Sequence, residues 1–311
     1  MTGTILLTGG WGKTASRIAK LLSAKGIPVQ IASRKGAAAI PSEYKSQYSS
    51  LTGAIFDWTD PSTHANPFNA TNLVAPISAV YLVPPAVPDI IGAMKPFIDL
   101  AIEQGVKRFV LMSGAGVDKG GWGYGKVHEY LADGGHKVEY CVLRPPWFYA
   151  NMLSVASISE EDIIVSATGD GKFPMTSEDD IAEAAVGPLI DEKVLNNDIF
   201  IMGPELLTFD LVAEKLTKVL GRKITHVKVT TAEFTELLLK QGIPEAYAPL
   251  LAGVDAMKAA GSDEKLFYSP GKVVGRVFIE EFLGENKSVF AKADKPWEGP
   301  LLGTRFKGLE L

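Results

Sequence analysis

The sequence predicts an α/β protein: a doubly wound parallel sheet followed by a smaller, mainly helical C-terminal lobe. Three observations carry this. Apolar, β-branched runs alternate with amphipathic segments through the first half, the pattern of parallel strands covered by helices on both faces. The opening stretch TILLTGGWGKTASRIAKLL breaks from an apolar run into three glycines and resumes with helical spacing. After residue 150 the alternation gives way to an irregular stretch, a helix around DDIAEAAVGPLI, a strand DIFIMG and then mostly helices.

Taken in order, strands are expected at 4–9, 28–33, 54–57, 79–84, 108–114 and 139–145. Between the first two, Ala15, Ile18, Ala19 and Leu22 form one apolar stripe of a helix, and Gly26 stands where a C-terminal cap is preferred. Thr230 and Glu233 in TTAEF have the spacing of a capping box, so a helix should start there. Another is expected to begin at Pro244 and end by Gly261. These elements divide the chain into a first domain, residues 1–150, and a lobe, 151–311, some of whose segments return to the first domain's core. The tail from Lys292 onward, punctuated by proline and glycine, receives no assignment.

Composition narrows the function. With 46% hydrophobic residues over 311 positions the chain can bury a large core. A net charge of -5 argues against a nucleic-acid partner, whose surface needs clustered Lys and Arg. Cys141, the single cysteine, has no disulfide partner within the chain and reads as a small core residue in a reducing compartment. The first strand begins almost at Met1 with no leader ahead of it, so a cytoplasmic protein is expected. The most apolar stretch, AVYLVPPAVPDIIGAM, is interrupted by Pro84, Pro85 and Pro88 and is too short to span a membrane. A small-molecule substrate, no metal, and a monomer or homodimer complete the expectation.

The glycines carry the first chemistry. The spacing Gly9-x-x-Gly12-x-x-Ala15, between a strand and a helix, lets backbone approach phosphate oxygens and aims helix N–H groups at them. This is how a Rossmann fold opens, and Thr8, Gly9, Gly10, Gly12, Lys13 and Thr14 are the candidate dinucleotide-binding residues. At the end of the second strand, where an NAD-binding chain usually presents an acid, the sequence reads IASRKG. Ser33, Arg34 and Lys35 suit a 2′-phosphate, so NADP is expected over NAD; the competing reading is a solvated basic turn. Asp57 could contact the adenine or cap the following segment.

The reaction should occur outside the carboxyl ends of the strands, where LVPP (82–85), MSGAG (112–116) and LRPPWFYAN (143–151) converge. Pro84, Ser113 and Pro145 are candidate cofactor contacts on these segments. Ser113 stands where short-chain dehydrogenases carry a catalytic hydroxyl, but the Tyr and Lys those enzymes place four residues apart are out of register. Tyr124 is followed four residues later by His128, with Lys126 between. Tyr124, Lys126 and His128 are the candidate catalytic residues. A buried, satisfied histidine and a merely solvated lysine are the alternatives for the last two.

The segments ILLTGGWGKTASRIA, IASRKG, FDWTD, KRFVLMSG, KGGWGYGKVHEYL, VEYCVLRPPWFYANML and GPELLTFDLVAEKLTKVLGRKITH resemble the NmrA-like branch of atypical short-chain dehydrogenases, and within it the festuclavine and agroclavine dehydrogenases of ergot alkaloid biosynthesis. The resemblance spans most of residues 4–230 and fades beyond about 262. It implies NADPH-dependent reduction of a cyclic iminium ion. The incomplete relay is consistent with this, because hydride addition to C=N⁺ gives a neutral amine and needs no acid in the same step. Trp122, Trp147, Phe148 and Tyr149 are candidate walls of a pocket tolerant of a cation; the alternative is that these aromatics fill a seam. Two rivals remain: a quinone or enone reductase on the same fold, and an NADP-sensing regulator of the NmrA type that leaves the dihydronicotinamide unconsumed.

Overall fold

A computed structural model describes residues 3–193 and 196–292. It divides into two compact units, one comprising residues up to Pro145 together with Glu178–Ile201, the other Pro146–Ser177 and the chain from Met202. The first unit therefore closes five residues earlier than the sequence suggests and takes back one later segment.

In the first unit the strands are β1 (Thr4–Leu7), β2 (Val29–Ser33), β3 (Leu51–Ile55), β4 (Ile77–Leu82), β5 (Arg108–Met112) and β6 (Glu139–Arg144). They run in the order β6-β5-β4-β1-β2-β3, all parallel, with Leu6 opposite Gln30 on one side and Val80 on the other. The strand Asn197–Met202 adds to β6, also parallel. Strand order reverses between β1 and β4, which makes their carboxyl ends the place for a ligand. The expected strands 4–9, 79–84 and 108–114 stop two residues early. At the first, Gly9 turns to φ +83°, a value that ends an extended ladder.

Helix α1 (Ala15–Ala24) buries Ala15, Ile18, Ala19 and Leu22 as the stripe requires. At its end Ile27 N–H donates to Leu22 and Gly26 takes φ +73°, the left-handed cap the sequence predicts. The helix Glu178–Ile190, read from the sequence as isolated, packs on α1 in the first unit, and Arg17 reaches Asp179 at 2.7 Å. The other face carries the helices Ile90–Glu103 and Tyr124–Asp133. Their apolar sides close over Val80, Phe109 and Val142 with Phe56 and Phe97 at the centre. Cys141, next to Val142 in β6, is buried on the opposite side of the sheet, and burial pushes its thiol up to about 12.

The second unit has its own core around Tyr149, Phe173, Phe209 and Phe282. Phe173–Thr176 pairs with both Trp147–Phe148 and Leu206–Leu207, and Ile163–Ser166 pairs with Thr225–Lys228. The capping box is formed: Thr230 accepts from Glu233 N–H, Glu233 accepts from Thr230 N–H, and the helix runs Thr231–Lys240. The helix expected from Pro244 starts at Ala248, since Pro244 forms the turn ahead of it, and ends before Gly261 at φ +80°. Residues 293–311, nearly the whole of the unassigned tail, lie outside the described residues. No described helix is long and apolar enough to cross a membrane, and no described His, Cys, Asp or Glu cluster could hold a metal.

Candidate active site

The turn from β1 to α1 is packed so tightly that side chains have no room. A Cβ on Gly9 would stand 2.9 Å from the Val83 Cβ, and one on Gly12 would stand 2.9 Å from the Gly9 carbonyl oxygen. Gly9 and Gly10 both have positive φ. The α1 N-terminus that follows has no side-chain cap and no acid in its first turn, which leaves its partial positive charge to an anion. Gly10 N–H donates to the Ala32 carbonyl, and a Cβ on Gly10 would come within 3.1 Å of the Ser33 Cβ. Turn and second-strand segment are thus one continuous surface. Arg34 and Lys35 are exposed beyond it, and Lys13 is half-buried on the turn.

Two threonines of the candidate set use their hydroxyls within the fold. Thr8 is fully buried; its hydroxyl donates to the Tyr81 carbonyl and accepts from Val83 N–H, closing the gap where β1 and β4 leave their ladder. Its hydroxyl is committed to the fold. Thr14 is also buried and accepts from the Tyr81 hydroxyl at 2.9 Å. The Trp11 indole packs on Tyr44 with ring centroids 5.3 Å apart.

Asp57 ends the third strand segment as an Asx turn, accepting from the Thr59 N–H and hydroxyl. The Thr59 N–H is the largest cause holding its carboxyl below the usual range; the Thr59 hydroxyl and the Arg34 charge add to it against partial burial. Next to it an open cleft of about 500 Å³ is lined by Trp58, Thr59, His64, Val87 and Pro96 among others. His64 is 4% exposed and its Nε2 has no hydrogen-bond partner.

At the other strand ends, Ser113 is buried with an unpartnered Oγ, an orphaned hydroxyl at the edge where a dinucleotide would end. Pro84 is half-buried after β4, and the Pro145 carbonyl accepts from Ala115 N–H. Tyr124 opens its helix half-buried and Lys126 is exposed. His128 is 5% exposed, against Tyr140 at 5.9 Å, and its Nδ1 has no hydrogen-bond partner. Burial is the largest cause lowering its pKa, opposed by Asp198 and aided by Arg144, so the ring is neutral at pH 7. His128 thus packs on the sheet as a buried, neutral residue.

Of the aromatic candidates, Trp122 is 60% exposed, 6.5 Å from Tyr124 in the first unit. Trp147 and Phe148 form a half-buried strand in the second unit, with Trp147 edge-on to Phe209. Tyr149 is fully buried there; its hydroxyl donates to the Val277 carbonyl and its ring lies on Phe282. It is part of the core of that unit.

Sequence reasoning missed Arg144, 6% exposed at the end of β6. It bonds Asp198 and Asp118, each at 2.6 Å, and the Ala115 carbonyl, and lies over the Phe200 ring. A charge ending an otherwise apolar strand was a visible sign, but neither carboxylate partner is near in sequence.

The glycine turn, the bare helix end and the strand-order reversal define a Rossmann-type α/β protein. The chain belongs to the NmrA-like family, whose pattern matches residues 1–282. It is 40% identical over 268 residues to agroclavine dehydrogenase of Claviceps purpurea, covering 85% of this chain and 89% of that one. It is 41% identical over 279 residues to festuclavine dehydrogenase of Aspergillus fumigatus, covering 88% and 93%. Among solved structures, Citrobacter sp. triphenylmethane reductase complexed with NADP(H) superposes with a TM-score of 0.69 at 20% identity, covering 90% of this chain and 99% of that one.

Proposed function

We propose that this protein is an NADPH-dependent reductase of secondary metabolism that transfers hydride to a cyclic iminium of a small alkaloid-type substrate, with substrate recognition assigned to the second unit. The observation that carries the cofactor reading is the continuity of Gly10, Ser33 and Arg34: a tight backbone turn against a bare helix end, with a guanidinium one residue beyond. The relatives named agroclavine and festuclavine dehydrogenase support an oxidoreductase acting on an alkaloid.

In this reading the backbone N–H groups at the start of α1 hold the pyrophosphate, and Arg34 with Ser33 holds the 2′-phosphate. Lys126 would hold the nicotinamide ribose, and the unpartnered Ser113 Oγ would serve the same end of the cofactor. NADPH, when bound, supplies the hydride. No side chain has to donate a proton: adding hydride to C=N⁺ leaves a neutral amine, whereas a carbonyl would leave an alkoxide needing an acid. A neutral, buried His128 and a Tyr124 without a lysine four residues on match that lack of demand. What remains for the protein is alignment and exclusion of water.

The test is to mix protein and NADPH with cyclic iminium, enone and quinone compounds and follow the nicotinamide absorbance. Turnover of iminium compounds is expected. Turnover confined to enones or quinones would overturn the substrate class. NADPH binding with silence across the panel would identify a sensor.

A further inference from the structure

Arg144 joins three separate pieces of the first unit. Its guanidinium takes one carboxylate from the returning strand, Asp198, and one from the loop after β5, Asp118. The two contacts are unequal. Asp198 is partly buried and, despite that burial, Arg144 holds its carboxyl below the usual range. The Asp118 side chain is 89% exposed. An exposed carboxylate contributes little to stability, and removing it leaves Arg144 still neutralised by Asp198. Stability alone therefore gives little reason for the Asp118 contact.

Its backbone shows another use. The Asp118 carbonyl accepts from Gly121 N–H, and it lies so close to the helix Tyr124–Asp133 that a Cβ on Gly125 would be 2.2 Å from it. Gly120 N–H donates to the Gly125 carbonyl at 2.8 Å. The loop is tied to the first turn of the helix on one side and to β6 through Arg144 on the other. Moving Asp118 moves the start of the helix, which carries Tyr124 and Lys126.

We propose that the Asp118–Arg144 ion pair is a positioning device that sets the place of the helix start, and with it Lys126, relative to the bound cofactor. The inference rests on the reading of this site as an NADPH site. Arg144 suits the task because its fork holds two carboxylates in one plane, which a lysine does not.

The experiment is a double-mutant cycle on NADPH affinity, read by nicotinamide fluorescence in the full chain, with amide hydrogen exchange alongside. Asp118→Ala is expected to weaken NADPH about tenfold, with Tm within about 2 °C of the parent. On a Lys126→Ala background the same change is expected to have less than about twofold effect, because Asp118 acts through Lys126. Arg144→Lys should reproduce the Asp118→Ala loss, and exchange at Gly120 and Gly125 should quicken in both. Additive losses, or unchanged affinity and exchange in Asp118→Ala, would overturn the proposal; Asp118→Asn gives the same reading should the alanine variant fold poorly. A parent protein that binds no NADPH would instead overturn the functional reading beneath it.

Discussion

Ser33 stands directly against Gly10, its Cβ 3.1 Å from the place a Gly10 side chain would begin. The glycine turn and the segment that ends the second strand therefore cannot be altered independently. Arg34 follows at once, exposed, and its charge already reaches Asp57.

Replacing Arg34 by Asp should therefore weaken NADPH by about 100-fold and leave NADH affinity equal or improved. Titrating both dinucleotides by fluorescence checks this. Equal affinities in the unaltered protein would refute the 2′-phosphate assignment.

The glycines differ in what they answer to. Gly9→Ala meets both a φ of +83° and the Val83 side chain, and should lower stability by about 2–3 kcal/mol. Gly26→Ala meets a φ of +73° and nothing within 4 Å, and should lower it by about 1 kcal/mol. Denaturant midpoints without cofactor separate clash from backbone strain.

Tyr124→Phe should retain iminium reduction to within about tenfold. A loss near a thousandfold in kcat, with NADPH affinity preserved, would show an essential acid at Tyr124 and contradict the mechanism.

Stability should decline as pH falls below the ordinary histidine value of 6.5. His128 and His226 are both lowered, by burial first, so the folded state favours their neutral forms while the unfolded chain takes up protons. Their contribution is complete above 6.5 and is lost as pH drops through the lowered folded values. A thermal-melt series should show this limb before the carboxylates protonate, and His226→Gln should flatten it. A series flat between pH 7 and about 5 would refute it.

His226 also completes an arrangement that invites misreading. Its Nε2 is 2.8 Å from Ser166 Oγ and its Nδ1 is 3.1 Å from Asp210, the order of a hydrolase triad. Ser166 is 1% exposed and shares its hydroxyl with Thr168, so no acyl group can reach it. Incubation with a fluorophosphonate probe should leave the protein unlabelled.

The repeated strand pattern, the glycine turn and the capping box were legible because each depends on residues adjacent in sequence. What was not legible is the partner a side chain takes from a distant part of the chain. Thr8 looks like a phosphate ligand until β4 arrives to claim its hydroxyl, and Tyr149 looks like a pocket wall until Val277 accepts from it. His128 lies on the predicted stripe, yet only packing reveals that the stripe is dry there. Asp118 and Asp198 come from opposite sides of Arg144 in the sequence, 26 residues before it and 54 after.

The return of Glu178–Ile201 to the first unit has a consequence for synthesis. A ribosome that has released residues 1–145 has not yet supplied the last parallel strand, nor the second carboxylate for Arg144. The nascent first unit must wait, its β6 edge open, until the polypeptide has passed Ile201, and a fragment cut at Pro145 would expose that same raw edge.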